Sequence, residues 1–134
     1  MSNRRAYPCV LLAGMCASAA TMASATDRPR EVSACDIITS PARYVGQQVK
    51  VTGIAYIGME STNLSDEACA GQKLALQIDE HVAGQSDMLA FRRTLIRSHM
   101  RGKATFLGVL TAGSDWRAPY VLHIEHVSRV SPIE

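Results

Sequence analysis

The chain has 134 residues, a formal net charge of +2 and an aromatic content of 5%. This length suits one domain with a single core. So small a net charge excludes a general electrostatic attraction to nucleic acid or to membranes. The few aromatic residues also argue against a groove for single-stranded nucleic acid, which needs several stacking rings.

Residues 1–25 have the parts of a secretory signal peptide. Arg4 and Arg5 form a positive start, residues 8–20 are an apolar run, and an Ala-Ser-Ala sequence ends at Ala25. The apolar run is too short to stay in a bilayer as an anchor. We therefore expect cleavage near Ala25, a mature chain without a transmembrane segment, and a periplasmic or extracellular location. Without Arg4 and Arg5 the acidic and basic residues are equal in number.

Residues 26–34 are mostly polar and contain a proline, so we expect a flexible lead before a single domain over residues 35–134. Cys35 and Cys69 are the only cysteines that remain after removal of the signal peptide. Two cysteines in an exported chain favour one disulfide bond. Their spacing is not the C-x-x-C of a redox pair or a metal site, which makes those interpretations less favoured.

The clearest period-2 pattern lies in residues 44–57 (YVGQQVKVTGIAYI). Apolar or small residues alternate with others from Val49 onward, which predicts a first strand over residues 49–57. Gly53 occupies an inward position, where a glycine indicates a bend or a close backbone approach. A short second strand is predicted within residues 59–64 and a third over residues 73–79.

A helix is predicted to begin near Ser86, with Ser86 as its cap and Asp87 close to the positive end of its dipole. It is expected to end before Gly102. Arg92 and His99 fall inside its apolar arc, where Arg92 can extend its stem to solvent or pair with a carboxylate. At 100° per residue the apolar half holds Met88, Leu89, Phe91, Leu95, Ile96 and Met100.

Two further strands are predicted, over residues 103–110 and 120–130, joined by a loop over residues 111–119. The alternation in the last strand changes phase at His126, as a β-bulge would produce. The order is therefore β-β-β-α-β-β. It predicts a mainly β protein with one helix, folded as a five-stranded OB-type barrel. The alternative is an open α+β sheet covered by one helix.

Residues 35–53 (CDIITSPARYVGQQVKVTG) and 58–69 (GMESTNLSDEAC) together resemble small exported bacterial OB-fold-like proteins of unassigned function. The shared scheme is a helical turn ending in Y-x-G, a V-x-V-x-G strand, a hairpin with a glutamate, and L-x-D-x-x-C. Beyond residue 69 only the order of elements agrees. The resemblance implies a fold and an exported location, and it supplies no catalytic residue.

The predicted loop between the last two strands is a candidate binding element, because OB folds bind ligands through this loop. It carries Trp116 and Arg117, with Tyr120 close by, and these residue types are frequent at binding hot spots. The first hairpin is expected at the same mouth of the barrel. The predicted ligand-binding face is Tyr56, Met59, Glu60, Trp116, Arg117 and Tyr120. The alternative is that Trp116 folds back and closes the end of the barrel.

Catalytic and metal motifs are absent from the sequence. It has no nucleophile elbow, phosphate-binding loop or cysteine-nucleophile pattern, so no enzyme activity, catalytic residue or cofactor is predicted. His123 and His126 are three apart on a strand and point to opposite faces, whereas zinc needs three or four ligands. No metal site is predicted, and His81 and His99 are interpreted as ordinary surface or partly buried residues.

These observations lead to two functional hypotheses. The first is a non-enzymatic exported module that binds a protein, peptide or glycan through the predicted face; nucleic acid is not a favoured partner. The second is a structural or assembly factor of the cell envelope. It would dock through a basic helix face formed by Arg93, Arg97 and Arg101 at a spacing of four.

Overall fold

The structure is a computed structural model that describes residues 28–133. The predicted signal peptide lies outside the described residues. About half of the described residues are in strands, which confirms a mainly β protein. The elements are β1 (Arg30–Ser33), α1 (Ala34–Thr39), β2 (Gln48–Ile57), β3 (Thr62–Ser65), β4 (Leu74–Gln77), α2 (Glu80–Ala83), α3 (Ser86–Arg97), β5 (Arg101–Asp115) and β6 (Ala118–Pro132), with 3-10 turns at Pro41–Arg43 and Glu67–Cys69.

The six strands form one sheet in the order β1-β2-β3-β4-β6-β5, and β5 pairs back onto β2, so the sheet forms a ring rather than an open layer. The pairing around this ring is uneven. β2 and β5 are antiparallel from Gln48↔Val109 to Tyr56↔Arg101, whereas β3 and β4 pair only at Asn63↔Ala75 and Leu64↔Leu74. The ring is therefore not a regular barrel.

Part of the segment that was predicted to be a flexible lead forms regular structure. Residues 30–33 form β1, which runs parallel to β2 with Val32 opposite Val51. Helix α1 follows at once, and the Ser33 hydroxyl caps it by accepting a hydrogen bond from the Asp36 N–H at 3.0 Å. Within residues 28–133 there are thus six strands and three α-helices rather than five strands and one helix. The three added elements, β1, α1 and α2, are each too short to give a periodic signal in the sequence.

Strand β2 confirms the predicted first strand. Val49, Val51 and Ala55 are fully buried, as the alternation requires. Gly53 lies where the partner of β2 changes from β1 to β3. A Cβ at Gly53 would lie 2.7 Å from the Ser65 carbonyl oxygen and 3.0 Å from the Ala34 Cβ. The predicted close backbone approach is therefore confirmed.

Helix α3 is shorter than predicted. Its N-cap is Gln85, so the prediction of Ser86 as the cap was wrong. It ends at Arg97 because the chain turns through His99 and Met100, which have φ values of 54° and 65°, into β5. Such positive φ values are incompatible with a continuing right-handed helix.

Strands β5 and β6 form a hairpin that replaces the predicted loop over residues 111–119. Asp115 pairs with Ala118, so only Trp116 and Arg117 connect the strands. The predicted change of phase near His126 is confirmed, because the register shifts between Leu107 and Gly108.

The core lies between the ring and the inner side of α3. Phe91 of α3 packs edge-to-face on Phe106 of β5, with 5.4 Å between ring centroids. Met88 and Leu95, also on α3, are fully buried beside them. No helix within residues 28–133 has the length and apolar character needed to cross a membrane.

Candidate functional site

An open groove with a volume of about 1020 Å³ runs along β3 and β4. Leu74 and Leu76, only 4% and 7% exposed, lie at its base. Charged side chains of both signs line it, namely Glu60, Lys73, Asp115 and Arg117. A volume of this order matches that of typical ligand pockets.

The groove is located where the sheet is least complete. Pairing between β3 and β4 stops at Asn63↔Ala75. The next residues along the two strands, Thr62 and Leu76, are not paired with each other, and both line the groove. Leu76 instead pairs with Leu122 of β6. The groove is thus a consequence of two short strands that separate after two residue pairs.

The turn between β2 and β3 forms one wall. The Gly58 N–H donates a hydrogen bond to the Ser61 carbonyl at 2.8 Å. A Cβ at Gly58 would lie 2.8 Å from Cε1 of Tyr56, so the absence of a side chain lets the tyrosine ring lie close to this turn. Tyr56 is 43% exposed and Met59 is fully exposed. Met59 is therefore the apolar side chain that this wall presents to solvent, and the Tyr56 ring lies beside the turn.

The tip of the β5–β6 hairpin also contributes to the lining of the groove. The Asp115 carboxylate accepts a hydrogen bond from the Arg117 N–H at 2.9 Å, which holds the turn. The Arg117 guanidinium carbon lies 5.2 Å from the centroid of the Trp116 ring, within the range of a cation–π contact. Trp116 is 83% exposed, so it does not close the end of the ring.

The structure brings together most of the face predicted from sequence. Met59, Glu60, Arg117 and Tyr120 line the groove. Tyr56 and Trp116 are not part of its lining, but each is adjacent in sequence or in space to residues that are. The sequence-based prediction missed the rest of the groove, which includes Ile38, Pro41, Thr62, Asn63, Lys73 and Gln77. The signal in the sequence that could have identified these groove residues is the alternation of polar residues with leucines on two very short strands.

Asn63 lies in the lining of the groove. Its Nδ2 donates to the Ser61 Oγ at 3.2 Å, while its Oδ1 is buried and has no hydrogen-bond partner within residues 28–133. An unsatisfied buried acceptor is unfavourable.

The predicted basic helix face is wrong in its composition. Arg93 and Arg97 are exposed on α3, but Arg101 is the first residue of β5 and pairs with Tyr56 of β2. Arg92, predicted within the apolar arc, is exposed. Of the three arginines, only Arg93 and Arg97 therefore lie on the helix, and the predicted stripe of three does not form.

The two cysteines are neighbours but are free thiols in the structure, so the predicted disulfide is not present there. The Asp66 carboxylate connects the two segments that carry them. It accepts hydrogen bonds from the Cys35 N–H at 3.3 Å and the Ala68 N–H at 3.0 Å. Burial raises the pKa of the Cys69 thiol to about 11, with further contributions from a hydrogen bond to Cys35 and from the negative charges of Cys35, Asp66 and Asp36.

The histidines do not converge. Within residues 28–133 no group of three or more His, Cys, Asp or Glu side chains is arranged to hold a metal ion. His126 Nδ1 lies 3.5 Å from the Asp87 Oδ2, and that oxygen accepts the Val127 N–H at 3.0 Å. Burial acts to raise the pKa of Asp87, but backbone hydrogen bonds, the first from Val127, and the charge of His126 bring it below its ordinary value.

Comparison with protein-family models and with curated proteins gives no match to this chain. The resemblance to small exported OB-fold-like proteins stays a prediction. The function must therefore be argued from the groove.

Proposed function

We propose that this protein is a non-enzymatic binding module that takes a peptide segment of a partner protein into the groove along β3 and β4. The observation that carries the proposal is that four of the six residues selected from sequence line one groove with a partly apolar base and a charged rim.

The fold proposed for this module is an irregular OB-type barrel. Its support is the order of pairing around the ring, β2-β3-β4-β6-β5 and back to β2, with α3 between β4 and β5. OB folds bind ligands on the face of their second and third strands, between the loops that follow the first and fourth strands. In this chain those positions correspond to β3, β4, the turn at Gly58 and the hairpin tip.

A peptide fits the groove better than a glycan does. Met59 is fully exposed, and Tyr56 and Trp116 are also exposed. Methionine, tyrosine, tryptophan and arginine are the residue types enriched at protein interfaces. The rim of the groove also has both carboxylates and cationic groups. These suit a peptide with charged side chains better than a sugar, whose hydroxyl groups are neutral.

The test is selection of peptides from a displayed random library on the immobilised protein, followed by calorimetric titration of a selected peptide. We expect Met59→Ala and Arg117→Ala to weaken binding roughly 5- to 30-fold, the range of a hot-spot residue. Arg97→Ala is the matched control, since Arg97 lies on α3, which does not line the groove. Failure to select any peptide, or equal affinities for all variants, would refute the proposal.

We also propose that the chain is exported and that Cys35 and Cys69 form a disulfide bond in the oxidising compartment that it reaches. The signal-like residues 1–25 and the bridging Asp66 carboxylate support it. On the chain-entropy account such a bond would stabilise the fold by about 3–4 kcal/mol. Mass spectrometry of the recovered protein, with thiol labelling before and after reduction, tests cleavage after Ala25 and the bond together. Labelling of both thiols before reduction would exclude the disulfide.

A further inference from the structure

The exposed side of α3 carries two aliphatic residues that the core does not use. Leu89 is 44% exposed and Ile96 is 65% exposed, while Met88, Phe91 and Leu95 fill the interior. Leu89 and Ile96 are seven residues apart, which places them on one line of the helix about two turns from each other. They are two separate aliphatic side chains about 10 Å apart along the helix axis, with Arg92 and Arg93 between them.

Arginines surround these two aliphatic side chains. At 100° per residue the order around the exposed side is Arg92, Ile96, Leu89, Arg93 and Arg97, and all three arginines are exposed. We call these five residues the α3 patch. None of its arginines takes part in the ion pairs found within residues 28–133, which are Lys50–Glu31 and His126–Asp87.

The negative charge of the helix lies outside the patch. Asp87 is the only acidic residue in α3, and it falls on the opposite flank. There its carboxylate accepts the Val127 N–H and faces His126. A further arginine, Arg101, is exposed just past the helix end. The patch is thus a locally cationic, partly apolar surface on a chain of small net charge.

We propose that the α3 patch binds the anionic phospholipid surface of a membrane. In this arrangement Leu89 and Ile96 enter the boundary between headgroups and acyl chains, and the guanidinium groups pair with lipid phosphates. Cationic side chains next to an anionic membrane each add to binding. The proposal goes beyond the peptide-binding function, because the groove contains no residue of α3.

A membrane surface fits the patch better than nucleic acid or an acidic protein. The patch has no aromatic residue on which a base can stack, as binding of single-stranded nucleic acid requires. In a purely ionic contact with an acidic protein, the two aliphatic side chains of the patch would have no apolar surface to pack against. A bilayer supplies both the phosphates and the apolar layer, and it does so over a plane as long as the helix.

The experiment is sedimentation of the full chain with phosphatidylcholine vesicles that contain or lack phosphatidylglycerol. We expect binding to the phosphatidylglycerol vesicles and its loss at high salt. The double variant Arg93→Glu/Arg97→Glu should lower the partition coefficient on the order of tenfold or more. Leu89→Ser/Ile96→Ser should also weaken binding while the salt dependence remains. Because residues 1–25 are the same in every variant, differences between variants report on the patch alone.

The control is Arg28→Glu/Arg43→Glu, which changes the net charge by the same amount at exposed residues outside α3 and outside the groove. It should keep most of the binding. Circular dichroism and thermal unfolding of each variant show whether the fold is retained, and Arg92→Gln/Arg97→Gln gives a milder second pair. Equal binding by wild type and Arg93→Glu/Arg97→Glu, an equal loss in the control, or no preference for phosphatidylglycerol would overturn the proposal. The last result would leave an acidic protein as the partner.

Discussion

The β2–β5 pair and the β3–β4 pair belong to one ring, yet they are built differently. β2 and β5 pair without interruption from Gln48↔Val109 to Tyr56↔Arg101, and they place fully buried residues such as Val51 and Phe106 in the core. β3 and β4 pair at two positions and then separate. The long pair holds the domain together, and the short pair leaves room for a ligand.

The two strand pairs therefore have different roles: the β2–β5 pair stabilises the fold, and the region around the β3–β4 pair provides the proposed binding surface. The buried residues of the β2–β5 pair, such as Val51 and Phe106, are part of the core and cannot change without a loss of packing. Several residues around the groove, such as Met59 and Lys73, are exposed, so they can vary at little cost in folding free energy. The following predictions test this separation, from the largest expected effect to the smallest.

Phe106→Ala should lower the free energy of unfolding by about 3–5 kcal/mol, because it leaves a cavity against Phe91. Urea denaturation monitored by circular dichroism measures the change. Met59→Ala is the matched control at the groove, and it should alter stability by less than about 0.5 kcal/mol. A similar cost for both variants would contradict the division between scaffold and groove.

Gly53→Ala should destabilise the protein by about 1–3 kcal/mol, since the new methyl group would be forced against the Ser65 carbonyl and the Ala34 side chain. Gly84→Ala is the control. It has no atom within 4 Å of an added Cβ and a φ of −88°, so it should be neutral or slightly stabilising. Thermal unfolding of the two variants distinguishes them, and equal melting temperatures would refute the close-approach argument.

Asp87→Asn should cost about 1 kcal/mol at neutral pH, because a charge-assisted hydrogen bond to the Val127 N–H becomes a neutral one. The lowered pKa of Asp87 fixes the sign of the pH dependence. Its stabilising contribution is present above the ordinary value of 3.8 and is lost as the pH falls through the lower folded pKa.

The stability gap between wild type and Asp87→Asn should therefore be constant near neutral pH and shrink below about pH 4. Denaturant titrations at several pH values measure it. Glu80→Gln, at an exposed position of α2, is the control and should show no such gap. A gap that widens on acidification would show that the carboxylate is not stabilised in the folded protein.

Lys73→Ala and Gln77→Ala should change unfolding free energy by less than about 0.5 kcal/mol, the smallest effect in this series. Both residues line the groove and are exposed. The same variants should reduce the affinity for a selected peptide. If they unfold the protein instead, the groove is part of the scaffold and the comparison fails.

Several features were predictable because their signal is local. The alternation of Val49, Val51 and Ala55 predicted β2, since a strand turns successive side chains to opposite faces. The change of phase near His126 predicted the irregular register of β6. The exposed end of α3 was not predictable, because the sequence continues in a helical pattern through Met100. In the folded chain the Met100 N–H donates to the Leu95 carbonyl and the Met100 carbonyl accepts from the Ile57 N–H of β2, so the turn is held by a contact that is distant in sequence.

The sequence by itself determined the mainly β character, the course of β2 and the position of the central helix, because periodicity and turn residues act over a few neighbouring positions. Only the tertiary structure decided the groove. Glu60, Lys73 and Arg117 are far apart along the chain, and they line one groove because β5 pairs back onto β2 while β3 and β4 separate early. The same closure decided which side of α3 is buried, and so left Leu89 and Ile96 exposed among arginines. Such long-range arrangements depend on how strands pair, which no local pattern specifies.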